Sequence, residues 1–196
     1  MARPRDGSAP AVKLLRTIRL DPSDTFVFPA AAEPGEWAVT GSFLFWGRDP
    51  ESFAGKERAA FRAGFVGVDS FGFSTLAVVQ PARAEEREGA VEALALRLME
   101  RLGAPDIATA RAAAEEEIAF AASLAEHDEG TLVALHRAIE NGELREQFRT
   151  LAARARVPGL DDLHAHARAF SFHEVVGDDD EARERVDLID MMADRK

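Results

Sequence analysis

The chain of 196 residues has no cysteine and no tyrosine. Without cysteine there can be no disulfide, no Cys–zinc or Cys-ligated cluster site and no thiol nucleophile. A chain without thiols survives in either redox compartment, so this absence leaves location open. The missing tyrosine accompanies abundant Ala and Arg, a bias without functional content. No run approaches the ~18 apolar residues of a membrane span. The opening MARPRDGSAPAV has no apolar core segment, so a secretory signal is not expected. Together these features lead us to expect a cytoplasmic protein. Positive charge is scarce: 24 Lys and Arg stand against 35 Asp and Glu, a formal net charge of −11. Phosphate contact rests on clustered Lys and Arg, so nucleic acid is not an expected partner. The same deficit argues against an anionic membrane surface.

Hydrophobic residues make up 46% and charged residues 30%, which suits a globular domain. A domain of this size buries roughly 70% of its unfolded surface and needs no disulfide or metal staple. Its most informative feature is a pair of helical stretches, residues 84–102 and 107–126, set back to back between strand-like runs. In the first, Val91, Leu94, Ala95, Leu98 and Leu102 form an apolar stripe. Gly103 fits the left-handed position that ends a helix, and Pro105-Asp106 starts the next. There Ile107, Ala110, Ala114, Ile118, Ala121, Ala122 and Ala125 make a small-residue face that allows close packing, and Phe120 and Leu124 add an edge toward a sheet.

Around this pair the strands are short. Residues 12–20 alternate with Arg16 on the apolar side, Asp21–Asp24 turn, and Phe26–Phe28 read as a short extended piece. Residues 37–47, WAVTGSFLFWG, alternate most clearly and read as a central strand. Asp49-Pro50-Glu51 is a helix start, so residues 50–63 read as a helix. Strand resumes over 65–80, with Gly67 and Gly72 marking a bend. Asn141-Gly142 signals a hairpin in which Arg137 faces Glu146. A helix over 143–157 competes for the same residues, and the hairpin is preferred. Residues 170–176 alternate as an edge strand. The expected fold is therefore α+β, a single domain over 12–176 with an antiparallel sheet of four to six strands covered by the helical hairpin. Residues 1–11 are expected as a disordered tail and 177–196 as an acidic one. From Glu174 to the end, nine acids face four bases.

No catalytic spacing is complete. Gly67–Gly72 approaches G-x-S-x-G, but Val68 stands where the tight turn needs glycine, and nothing brings His136 or Asp128 to Ser70. A bent core strand explains the same residues. Gly55-Lys56-Glu57 lacks the remaining phosphate-loop residues. Asp161, His164 and His166 have metal-ligand chemistry but read as a solvated loop, and no metal or cofactor is expected. Glu115-Glu116-Glu117 reads as a solvated helical face. Arg16, Arg19, Arg48 and Arg62 can converge at one sheet end. With Trp46 beside Arg48 this gives a candidate anion or small-ligand site at Arg16, Trp46 and Arg48. Val186, Leu188, Ile189, Met191 and Met192 form an apolar cluster inside the charged end and are candidate partner-binding residues, docking on their own domain or on another protein.

The runs KLLRTIRLDPSDTFVF (13–28), EPGEWAVTGSFLFWG (33–47), AFRAGFVGVDSFGFSTL (60–76) and REQFRTL (145–151), with the helical pair between, resemble an uncharacterised bacterial family, a domain of unknown function. The resemblance brings no activity and no catalytic residues. It implies an accessory role near redox-enzyme maturation, beside lipoate-ligase-like and ferredoxin-like proteins. The expected function is a non-catalytic cytoplasmic accessory protein whose partner is another protein or a second copy, with small-ligand binding as the alternative.

Overall fold

The computed structural model describes residues 12–140, 142–153 and 173–176. The chain opens with strand β1 (Val12–Ile18), a one-turn helix α1 (Ser23–Val27) and a two-residue strand β2 (Ala38–Val39). Helix α2 (Gly55–Ala63), strands β3 (Phe65–Gly67) and β4 (Phe73–Ser74) and the longer β5 (Leu76–Ala82) follow. The helical pair is α3 (Ala84–Leu102) and α4 (Ile107–Ser123). Strands β6 (Leu132–Glu140), β7 (Glu143–Ala153) and β8 (His173–Val176) complete the described chain.

The strands form an antiparallel five-stranded sheet, ordered β1-β5-β6-β7-β8, and a three-stranded sheet, β2-β3-β4. Strands from both halves of the chain thus share one layer, as the α+β reading required. A bridge between Arg16 and Trp37 and a bond from the Thr17 N–H to the Glu36 carbonyl (2.9 Å) join the two sheets at β1.

Successive strand residues face opposite ways, and the small sheet uses both faces. Ala38 and Phe65 pack with Leu15, Ala77, Val79, Val133 and Leu135 of the large sheet. Val39 and Val66 pack with Val91, Leu94, Leu98, Ala114 and Ile118 of the hairpin. The small sheet is therefore enclosed between the large sheet and the helices. A third cluster of Phe28, Phe45, Phe53 and Phe61 caps one end, with the Phe45 and Phe61 rings edge to face at 5.3 Å.

The hairpin keeps its expected bounds at 84–102 and its restart at residue 107 because those signals are local, while α4 ends at Ser123, three residues before the expected 126. Gly103 takes φ 70°, and the Asp106 carboxylate accepts from the Thr109 N–H at 2.8 Å. Leu102 and Ile107 prove exposed at the tip. Phe120 packs on Phe148 of β7, with ring centroids 5.9 Å apart. The hairpin expected over 131–149 forms, Gly142 has φ 82°, and Arg137 sits opposite Glu146; over 143–153 the strand β7 stands in place of the competing helix.

Four local readings change. Residues 37–47 are not a central strand: Gly41 at φ 75° ends β2, and Ser42–Phe45 turn as a 3-10 helix that buries Phe43 and Phe45. A Cβ at residue 41 would also run into the Val66 side chain. Residues 26–28 end a short helix instead of extending. The helix over 50–63 divides into a 3-10 turn at Pro50–Ser52 and α2, which opens on Gly55 at φ 52°. Residues 65–80 hold three strands, because Gly67–Gly72 close a tight turn. The expected tails and the segment with Asp161, His164 and His166 lie outside the described residues.

Candidate functional site

The most unusual chemistry lies at Arg137, a fully buried arginine on β6. An always-charged guanidinium persists in a core only if its donors are bonded. Its Nε donates to Glu146 Oε1 at 2.6 Å, and its Nη1 donates to the carbonyls of Phe61 and Gly64, both at 3.1 Å. Nη2 donates to the Thr40 carbonyl. One side chain thus satisfies the C-terminal end of α2 and the turn after β2 while remaining paired within its own sheet. Burial pushes the guanidinium down from its ordinary value, and the carboxylates of Glu146 and Glu117 oppose that shift.

Glu117 of α4 completes the cluster. Its Oε2 is buried and has no hydrogen-bond partner among the described residues. Burial raises its carboxyl from 4.5 to about 7, helped by Glu146 and Glu116 and opposed by Arg137. Two carboxylates thus share one buried cation. The reading of Glu115–Glu117 as a solvated face holds for Glu115, which pairs with Arg111, and for the exposed Glu116. Glu117 turns inward. The signal was available: positions 110, 114, 117 and 121 follow one helical stripe, and the other three are buried alanines.

A second buried carboxylate, Glu36, organises the turn between β3 and β4. It accepts from the N–H groups of Glu33, Asp69 and Ser70 at 2.7, 3.0 and 2.8 Å. Ser70 Oγ accepts from the Gly72 N–H at 3.0 Å, so this serine braces the turn. His136 lies exposed on β6. The G-x-S-x-G likeness therefore corresponds to a carboxylate-braced turn.

Of the candidate ligand residues, Arg16, Arg19 and Arg48 already meet protein partners. Arg16 donates to the Gly35 carbonyl, lies 3.5 Å over the Trp37 ring and stands 3.7 Å from Glu86. Arg48 pairs with Glu57 and lies 4.7 Å from the Phe53 ring centre. Arg19 donates to the Ala32 carbonyl, and Arg62 is exposed on α2. Trp46 follows the 3-10 turn beside buried Phe45 and is 73% exposed. Phe26, just before buried Phe28, is 72% exposed, and Leu20 is exposed at the end of β1. A shallow cavity of ≈ 450 Å³ lies elsewhere, lined by Val12, Lys13, Ala119, Ala122, Ser123, Ala125 and Glu126. Val186, Leu188, Ile189, Met191 and Met192 lie outside the described residues.

Among the described residues no group of three His, Asp or Glu side chains is gathered to hold a metal ion. No helix among them is long and apolar enough to cross a membrane. No curated protein and no solved structure matches the chain. A model of a family of unknown function, DUF6505, matches residues 12–170, and the chain belongs to that family.

Proposed function

We propose that this domain acts by binding another protein and carries out no chemistry of its own. The observation that supports this reading is Trp46, a large apolar side chain left 73% exposed beside a well-packed phenylalanine cluster. Tryptophan concentrates at the energetic centres of protein interfaces. Phe26, two residues before Phe28 of that cluster, and Leu20, two residues past β1, are exposed as well. The apolar run Val186, Leu188, Ile189, Met191 and Met192 is the second candidate partner-binding element. The setting that goes with this reading is the cytoplasm, and proteins of redox-enzyme maturation are the first partners to look for.

Affinity capture of the tagged full chain from its native cell tests the proposal. The expected result is a co-eluting protein that is lost from Trp46→Ser or from a chain lacking residues 177–196. Both variants should keep the parent's circular dichroism spectrum. An unchanged partner profile in both would count against the reading. The alternative, an anion site at Arg16, Trp46 and Arg48, has weaker support, since both arginines already carry carboxylate partners. It requires that some metabolite raise the melting temperature and that Arg48→Ala abolish the rise.

A further inference from the structure

Among the described residues, the five-stranded sheet has an edge along β7 without a neighbouring strand. Strand β7 spans Glu143–Ala153, but β8 pairs only with residues 150–153. Residues 143–149 have β6 on one side and, among the described residues, no strand on the other. Such an edge presents a row of backbone donors and acceptors to any strand that can reach it. We infer that a second copy of this chain fills it, with the two β7 strands pairing antiparallel about a twofold axis at Glu146.

The position of that axis follows from geometry. The open edge is closed at one end by the turn at Gly142 and at the other by β8 opposite Thr150. A twofold pairing that fills it must be centred on its midpoint, residue 146. Facing residues then sum to a constant, so Glu143 faces the partner's Arg149, Leu144 the partner's Phe148, and Arg145 the partner's Gln147. This register is also the chemically complementary one. Centring on Gln147 would set Arg145 against Arg149, and centring on Arg145 would set that arginine against its own copy. Glu146 meets its counterpart at the axis with its carboxylate already bound by Arg137. The pairing also accounts for apolar surface left over by the single chain. Leu144 is 36% and Ile139 41% exposed, and they face each other in the hairpin. Across the axis they extend the row formed by Leu135 and Phe148, which Phe120 already covers.

Sedimentation equilibrium of the full chain is the test, and its outcome is independent of the partner proposed above. Expected is a reversible dimer. Arg149→Glu sets two symmetry-related pairs to like charge and should weaken the dimer about tenfold. The double variant Glu143→Arg/Arg149→Glu restores opposite charges and should recover the parent constant, which a merely misfolded variant would not do. The inference is overturned by a full chain that is monomeric at every concentration, including the case in which deleting residues 177–196 then releases a dimer. It is equally overturned by a dimer indifferent to Arg149→Glu.

Discussion

Replacing Glu117 by Gln should make the protein more stable, and only at neutral to alkaline pH. In the folded chain the Glu117 carboxyl is raised to about 7 from an ordinary 4.5, chiefly by burial. The groups facing it are Glu146 on β7, Arg137 on β6 and its own neighbour Glu116. A folded-state value above the unfolded one means that the native state holds the proton more tightly. Ionisation therefore begins to cost stability above about pH 4.5, and the cost is complete above about pH 7. A gap of about 2.5 pH units at 1.36 kcal/mol each corresponds to roughly 3 kcal/mol. Glutamine stays neutral throughout. The variant should thus gain up to roughly 3 kcal/mol over the parent at pH 8 relative to its difference at pH 4.5. For a chain of this size that is roughly 6–12 °C in Tm. Thermal and urea unfolding across pH 4.5–8.5 at constant ionic strength measure it, with Glu116→Gln as an exposed control expected to change little. A variant-minus-parent difference that stays flat across this range would refute the reasoning.

Arg137→Met preserves the apolar stem but strands Glu146 and three carbonyls, so a loss of roughly 3–5 kcal/mol is expected in urea unfolding; a loss below about 1 would mean that water serves the cluster. Glu36→Ala leaves the N–H groups of Glu33, Asp69 and Ser70 without their acceptor and should cost about 2–4 kcal/mol, read as a lowered urea midpoint. Gly41→Ala combines a positive φ with a collision against Val66 and should cost about 2–4 kcal/mol in the same assay. Alanine at Gly89, whose Cβ would meet nothing within 4 Å, should instead match or slightly exceed the parent in Tm.

The parts of the fold legible in the sequence are those whose signals are local. Gly103 ends α3 and Asp106 caps α4 within a few residues of the chain, and the Asn-Gly pair sets a register that brings Arg137 to Glu146. WAVTGSFLFWG failed as a strand because its alternation describes burial on two sides, which a 3-10 turn after a left-handed glycine achieves as well. The same holds at Phe26–Phe28, where a single helical turn buries Phe28 as an extended segment would. Arg137 was visible as half of a cross-strand pair. Its deep burial was not, since the carbonyls of Thr40, Phe61 and Gly64 lie 73 to 97 residues away in sequence. Glu117 was hidden by its two exposed neighbours, although its place on the alanine stripe of α4 marked it.

The enclosure of β2-β3-β4 has a kinetic consequence. Strands of two or three residues cannot persist alone in water, and both walls that hold them are completed by residues that follow them in the chain. One wall needs Ile118 of α4, and the other needs Val133 and Leu135 of β6. During synthesis those two strips of backbone must wait until residue 135 has left the ribosome. In the finished molecule, amide protons of Val39 and Val66 should exchange with deuterium only when a wall comes away, which ranks them among the slowest in the protein.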